Sequence, residues 1–359
     1  MSKLRILFLD TYYPDFIKSI PDAEYKGAYN DVLKGILSKM FGTGDSYSFN
    51  ISEFGFEAYD AIVNDERLQR LWHQDRQHNW DYVGPKSNAI DQVRWYQPDV
   101  LFLQDLSFLD PTTVQFIKDE YGVKLIAAQC SCPLPAPDHI KMCDVIFTSF
   151  PHYVEIFNNL GVRGVFSRLA FDNRLLEMVE SKKSVRNNDL TFVGGVGYPS
   201  HWKAGLEMLE TVASRVHEFK WWGYGVETLP DNYELKKKYQ GQAWGLDMYR
   251  ILAQSKIVLN RHGEVSRNYA NNMKLFETTG MGALLLTDHK INMKEMFEVG
   301  SECATYNDAD HAADLARFYL ERPEQRGEIA VKGQVRTLIE HDYRKKMEGI
   351  ANVLKEMLV

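Results

Sequence analysis

Leu4-Arg-Ile-Leu-Phe-Leu9 is an apolar run of strand length that stops at Asp10. Near-continuous hydrophobicity of this kind marks a parallel strand covered on both faces. Comparable runs recur at 100–103, 124–128 and 145–148, and the stretches between them, 89–96, 111–121 and 152–160, carry apolar residues at helical spacing. Alternating strands and helices of these lengths predict a doubly wound parallel sheet. Ahead of them, 29–41 and 61–72 also read as helical, separated by a Gly-Thr-Gly turn at 42–44. A strand over 165–172 closes this half. The segment 180–189 is the most polar of the chain and reads as a linker.

The alternation then resumes. Strands are expected at 190–193, 219–222, 256–260, 302–306 and before Asp288, and helices at 201–216, 247–254, 293–299, 308–320 and 323–340. An amphipathic helix over 341–358 ends the chain. The expected architecture is α/β, with two Rossmann-like doubly wound domains facing a cleft. The first spans 1–172 with a helical insertion at about 12–95; a linker covers 173–189, a second domain 190–340, and a last helix, 341–359, packs back on the first domain.

Composition narrows the function. The 359 residues suffice for two ordinary domains, and 45% hydrophobic with 25% charged residues is a globular balance. A formal charge of −7 and a pI near 5.8 argue against nucleic acid or an anionic membrane as the main partner. With no apolar run of membrane length and no secretory pattern after Met1, a cytoplasmic enzyme is the expectation. The four cysteines, Cys130, Cys132, Cys143 and Cys303, show neither CxxC nor zinc spacing and read as structural.

The candidate chemistry concentrates in Leu259-Asn-Arg-His-Gly263 and the stretch from Asn271 to Asp288. Together they form a strand, a polar loop, a helix starting near Asn272, a glycine turn and a second strand. Arg261 and Lys274 beside a helix start suit a diphosphate, and Glu277 one turn into the helix suits a pair of sugar hydroxyls. His262 lies within the same loop. A solvated helix glutamate and an ordinary glycine turn are the competing reading. Asp10 and Asp105 follow apolar strands and so fall at the edge where open α/β sheets bind ligands, although Asp10 also suits a plain turn. Gly194-Gly-Val-Gly197, between a strand and a helix, leaves room for a pyrophosphate without forming the dinucleotide fingerprint.

Lys274-Leu-Phe-Glu-Thr-Thr-Gly-Met-Gly-Ala-Leu-Leu-Leu-Thr-Asp288 resembles the carboxy-terminal motif of GT-B glycosyltransferases, in particular the spore-maturation-protein (CgeB-like) branch. Thr191-Phe-Val-Gly-Gly195 and Met248 to Asn260 match as well; the likeness is strongest over 190–290 and looser around 12–16, 54–58 and 97–100. The resemblance implies transfer of a sugar from a UDP, GDP or dTDP sugar to a glycan, protein or small-molecule acceptor, without a metal or other cofactor. It implies that Gly194, Gly195, Gly197, Lys203, Arg261, His262, Asn272 and Lys274 lie about the donor, that Trp222, Gly223 and Tyr224 lie by its base, and that Glu277 takes the ribose. Many retaining members carry two glutamates separated by seven residues; the place eight before Glu277 is Tyr269, with Glu264 further upstream. An inverting route needs a base, for which Asp10, Asp105, His139 and His152 are candidates. The chain also departs from the branch at Gln129-Cys-Ser-Cys-Pro133, where an acidic residue is common. A sugar-nucleotide epimerase and a non-catalytic sugar-binding protein are the alternatives.

Overall fold

Of the strands in the first half, β1 (Leu4–Asp10) is the longest apolar run, and it forms inside a sheet rather than at its rim. The structure, a computed structural model, describes residues 3–77, 84–196 and 203–359; at 203 and 204 it describes the backbone alone. β1 is joined by β2 (Phe56–Ile62), β3 (Val100–Leu103), β4 (Leu125–Gln129), β5 (Val145–Thr148) and β6 (Arg163–Phe166) in the order β2-β1-β3-β4-β5-β6. Every neighbouring pair is parallel. β3 and β5 are wholly buried, as the near-continuous apolar sequence of each requires, with Thr148 the one polar member.

The second sheet holds β7 (Asn188–Val193), β8 (Phe219–Trp222), β9 (Ser255–Asn260), β10 (Leu284–Asp288) and β11 (Ala304–Tyr306) in the order β11-β10-β9-β7-β8, again all parallel. The chain forms two units, one of Met1–Arg168 with Tyr343–Val359 and one of Leu169–Asp342. In the first, the helix Tyr343–Leu358 buries Met347, Ile350, Ala351 and Leu354. In the second, a core of Leu190, Phe219, Trp221, Ile257, Leu259 and Leu284 is closed by the helices Lys203–Arg215, Ala309–Leu320 and Pro323–Glu340.

Each sheet has one place where the strand order reverses. In the first unit the chain goes from β1 outward to β2 and then across to β3; in the second it goes from β7 to β8 and then across to β9. At such a switch point the loops leave in opposite directions and open a recess beyond the carboxyl ends of the two strands. Asp10 and Gln104-Asp105 stand at the first, and Gly194-Gly195 and Arg261-His262 at the second.

Three segments differ from their sequence reading. The 61–72 stretch is the end of β2 followed by the helix Glu66–Asp75, which starts where Asp65 accepts from the N–H groups of Arg67 and Leu68. β2 is an edge strand with exposed Glu57, so its apolar end merges with Leu68 and Trp72 into an apparent helical period. The strand at 165–172 stops at Phe166; Phe171 donates its N–H to the carbonyl of His341 (2.8 Å) and is core to the second unit. The 293–299 helix shrinks to a single turn, Met293–Glu295.

Candidate functional site

At the second switch point, β9 ends in Asn260, whose side-chain N–H donates to Thr287 Oγ1 (2.9 Å) on β10 while its Oδ1 accepts from Asn272 Nδ2 (2.9 Å). Asn272 also donates to the carbonyl of Arg261 (3.1 Å). It therefore does not cap the helix Met273–Gly280 with its side chain; it ties that helix start to the end of β9. Arg261 follows, with a guanidinium that rests on Gly205 in the first turn of the helix Lys203–Arg215. A Cβ built on Gly205 would lie 1.3 Å from Arg261 Nη1, so only glycine admits the side chain there. A guanidinium held at a helix N-terminus is an anion-binding arrangement.

His262 is buried, and its backbone N–H and its Nδ1 both face Asp288 Oδ1, at 3.0 and 2.7 Å. Burial alone would push the Asp288 carboxyl up, but the hydrogen bond and charge of His262, with Lys290 at 3.3 Å, outweigh it and hold the group at about 2. An ionised Asp288 makes Nδ1 the donor. Nε2 is left facing inward, buried and without a hydrogen-bond partner among the described residues.

One turn into the helix, Lys274 Nζ lies 2.7 Å from Glu277 Oε2, and Tyr249 Oη donates to Glu277 Oε1 (3.2 Å). Both members of the pair are largely buried. Lys274 and Glu277, read from sequence as separate contacts for phosphate and ribose, are thus partners of each other.

Buried polar atoms with no hydrogen-bond partner recur along the loop after β9 and the helix that follows it. Among the described residues, His262 Nε2, Asn271 Oδ1 and Nδ2, Asn272 Oδ1 and Thr278 Oγ1 all fall within seventeen residues of chain. An unsatisfied buried polar group costs about 1–3 kcal/mol, and native chains keep few of them. The four on His262, Asn271 and Asn272, in the loop after β9, are what a polar ligand at the switch point would satisfy.

Across the switch point, β7 runs into Gly194 and Gly195. The N–H of Gly194 donates to the carbonyl of Trp222 (3.0 Å) and that of Val196 to the carbonyl of Tyr224 (2.9 Å), so the two loops run on as a ladder past the strand ends. The hydroxyl end of the Tyr224 ring lies against Gly195, where a Cβ would come 2.5 Å from it. Tyr224 is 43% exposed and stacks on Trp244, centroids 5.8 Å apart and planes 17° from parallel. Trp222 is half-buried at the end of β8, and Gly223 is buried beside it. Gly197 and the side chain of Lys203 lie outside the described residues.

At the first switch point Asp10 Oδ1 accepts from the N–H of Thr11 (2.8 Å), and the Thr11 hydroxyl donates to Asp105 Oδ2 (2.8 Å). The structure brings these two candidates together through one threonine. His139 and His152 sit apart from them, on the short helices Pro137–Lys141 and Pro151–Asn159, with His152 packed against the rings of Phe150 and Tyr153. Cys130 and Cys143 are buried and Cys132 is exposed; none is in a disulfide.

Solved structures share the fold over nearly the whole chain. Anabaena HepE, crystallised with UDP-glucose, superposes with a TM-score of 0.63 at 13% identity, covering 98% of this chain and all of its own. A glycosyltransferase from Rickettsia africae gives 0.60 at 12% identity, over 100% of this chain and 99% of its own. Sucrose-phosphate synthase from Thermosynechococcus elongatus gives 0.59 at 7% identity, over 99% of both. The fold is GT-B.

The family described as glycosyl transferase-like matches residues 204–352, which take in most of the second GT-B unit and run on into the last helix. No protein of curated function matches the sequence. Within the GT-B frame, sequence reasoning passed over Asn271, Thr278, Tyr249, Trp244 and the pairing of Asp288 with His262. The Asn271-Asn272 doublet in a loop beside a buried strand was a legible sign. Tyr249 and Trp244 carried none, because their roles depend on packing between segments far apart in the chain. No helix among the described residues is long and apolar enough to cross a membrane.

Proposed function

We propose that the protein is a glycosyltransferase that takes its sugar from a uridine-diphosphate sugar held by the second unit. The observation that carries this reading is the four unsatisfied polar atoms of His262, Asn271 and Asn272 in the loop after β9, set beside Arg261 and a helix N-terminus at the switch point. Arg261, Lys203 and the first turn of the helix Lys203–Arg215 supply positive potential for the diphosphate as charge develops on it. That potential takes the place of a metal, so the reaction runs in the presence of a chelator. The loop of Gly194, Gly195 and Gly197 lets the phosphates approach the backbone. Trp222, Gly223 and Tyr224 receive the base, and Glu277 receives the ribose hydroxyls while still paired to Lys274, since each carboxylate oxygen can accept twice. His262 Nε2 and Asn272 face the sugar and its phosphate. Asp10 and Asp105 belong to the acceptor side.

The GT-B fold, the uridine nucleotides bound by HepE and the match over 204–352 support the reading. The Lys274 to Asp288 motif favours the CgeB-like branch. Calorimetric titration with UDP, GDP, dTDP and CDP, without metal, tests it. UDP is expected to bind most tightly, and Glu277→Ala to weaken it about tenfold, the loss of one charged hydrogen bond. Absence of binding by all four nucleotides would sink the donor site.

A further inference from the structure

The first unit holds a second polar recess. Strands β1 and β2 pair in parallel with Phe8 opposite Asp60 and Asp10 opposite Ile62. Because side chains alternate along a strand, Asp10 and Asp60 point to the same face, one step apart on neighbouring strands. With Tyr12 and Gln104 they line a small recess whose other walls include the apolar Phe8 and Leu37. Ser48 donates its hydroxyl to Asp60, and Thr11 its N–H to Asp10. Among the described residues no lysine, arginine or histidine pairs with either carboxylate, whereas Asp288, at the end of β10, has two such partners. The Tyr12 ring is 3% exposed, wedged against Phe16 and Phe41, and its hydroxyl has no hydrogen-bond partner among the described residues.

We propose that this recess binds a primary ammonium group, and that the acceptor of the transfer carries one. A primary ammonium presents three N–H donors on a compact positive charge. The recess presents three acceptors, on Asp10, Asp60 and Tyr12, two of them carboxyls that gain charge as pH rises through 7 and one a hydroxyl otherwise unsatisfied. A hydroxyl would leave the carboxylates uncompensated once they ionise, and a quaternary ammonium would offer no donor. The proposal rests on the glycosyltransferase reading only in naming the amine-bearing molecule as acceptor. It assigns Asp10 to anchoring and leaves Asp105 as the candidate base.

Burial pushes both carboxyls well up, each to about 7, against the Thr11 and Ser48 hydrogen bonds; Asp105 raises Asp10 further, and Asp45 and Asp10 raise Asp60. The other titratable groups facing the pair are Tyr12, Tyr13 and Tyr47 toward Asp10 and Tyr12, Tyr29 and Tyr96 toward Asp60. These tyrosines are held above their ordinary value. The groups nearby that change charge near neutrality are the two aspartates, Cys132, lowered to about 7 and acting on Tyr13 and Asp105, and Lys346, lowered by burial to about 7 and lying 5.6 Å from the Tyr47 ring. Each of them makes the recess more negative as pH rises. Ammonium affinity therefore rises as pH increases through 7.

Methylammonium, titrated into the full chain and followed by amide NMR, is the direct probe, with tetramethylammonium, sodium and magnesium as controls. Saturable shifts confined to β1, β2 and Tyr12 are expected with methylammonium alone, about tenfold weaker in Asp60→Asn and growing from pH 6 to pH 8. Tyr12→Phe, which removes one oxygen from an otherwise unchanged ring, weakens binding severalfold with the fold intact. No shift with methylammonium, equal shifts with tetramethylammonium, or displacement by magnesium would each overturn the proposal. UDP titrated into the same samples separates the two readings: failure there removes the donor site and leaves the ammonium site standing.

Discussion

Arg261 shows how a single atom's absence can shape a site. Gly205 lies in the first turn of a helix, where alanine would be the better helix former by about 1 kcal/mol. Glycine there admits the guanidinium, and the obstructing atom is the far end of a flexible side chain rather than backbone. Gly205→Ala is therefore expected to keep or raise the unfolding temperature while weakening UDP binding at least about tenfold, because Arg261 is driven off the helix N-terminus. Calorimetry and a melting curve on the same sample check both halves. An unchanged UDP affinity would remove Arg261 from the donor site. The residues Arg261, Lys274 and Glu277 were legible in the sequence as charged side chains beside an apolar strand and a helix start. Their mutual geometry was not: Lys274 and Glu277 stand three apart on one helix face, a spacing that suits both an ion pair and two separate ligand contacts.

At the scale of elements, strand position depended on how deeply each strand is buried. β3 and β5 match their sequence reading to the residue because runs of four and three apolar side chains, covered on both faces, admit little else. β2 did not, because an edge strand tolerates polar residues such as Glu57 and Asp60 and so loses its signature. The helix Tyr343–Leu358 is held in the first unit by its apolar stripe and by a bidentate pair between Arg163 and Glu356, 3.0–3.1 Å. The stripe carries the energy, as an exposed ion pair contributes at most about 1 kcal/mol. Leu354 is fully buried, so Leu354→Ala is expected to destabilise the first unit by about 2–5 kcal/mol in urea, whereas Glu356→Ala costs less than about 1 kcal/mol. Equal effects would mean that the helix is held by its charges.

For the whole molecule, two sheets with separate cores predict separate responses to ligands. Hydrogen exchange in the presence of UDP is expected to slow most at β9, β10 and the helix Met273–Gly280, with a smaller change at β1 and β2; methylammonium is expected to do the reverse. Greater protection of β1 than of β9 by UDP would contradict a donor site in the second unit. The chain's alternation of buried runs and amphipathic stretches determined by itself that two parallel α/β sheets would form, because burying those runs satisfies both backbone and side chains in only a few ways. Tertiary structure alone decided what meets at the strand ends: Asp60 beside Asp10, Asp288 against His262, Arg261 over Gly205. Each of these pairs joins residues between 26 and 56 positions apart, and a shift of one residue in strand register would turn the side chains to the opposite face. Register is set by the packing of the whole sheet, which no local stretch of sequence records.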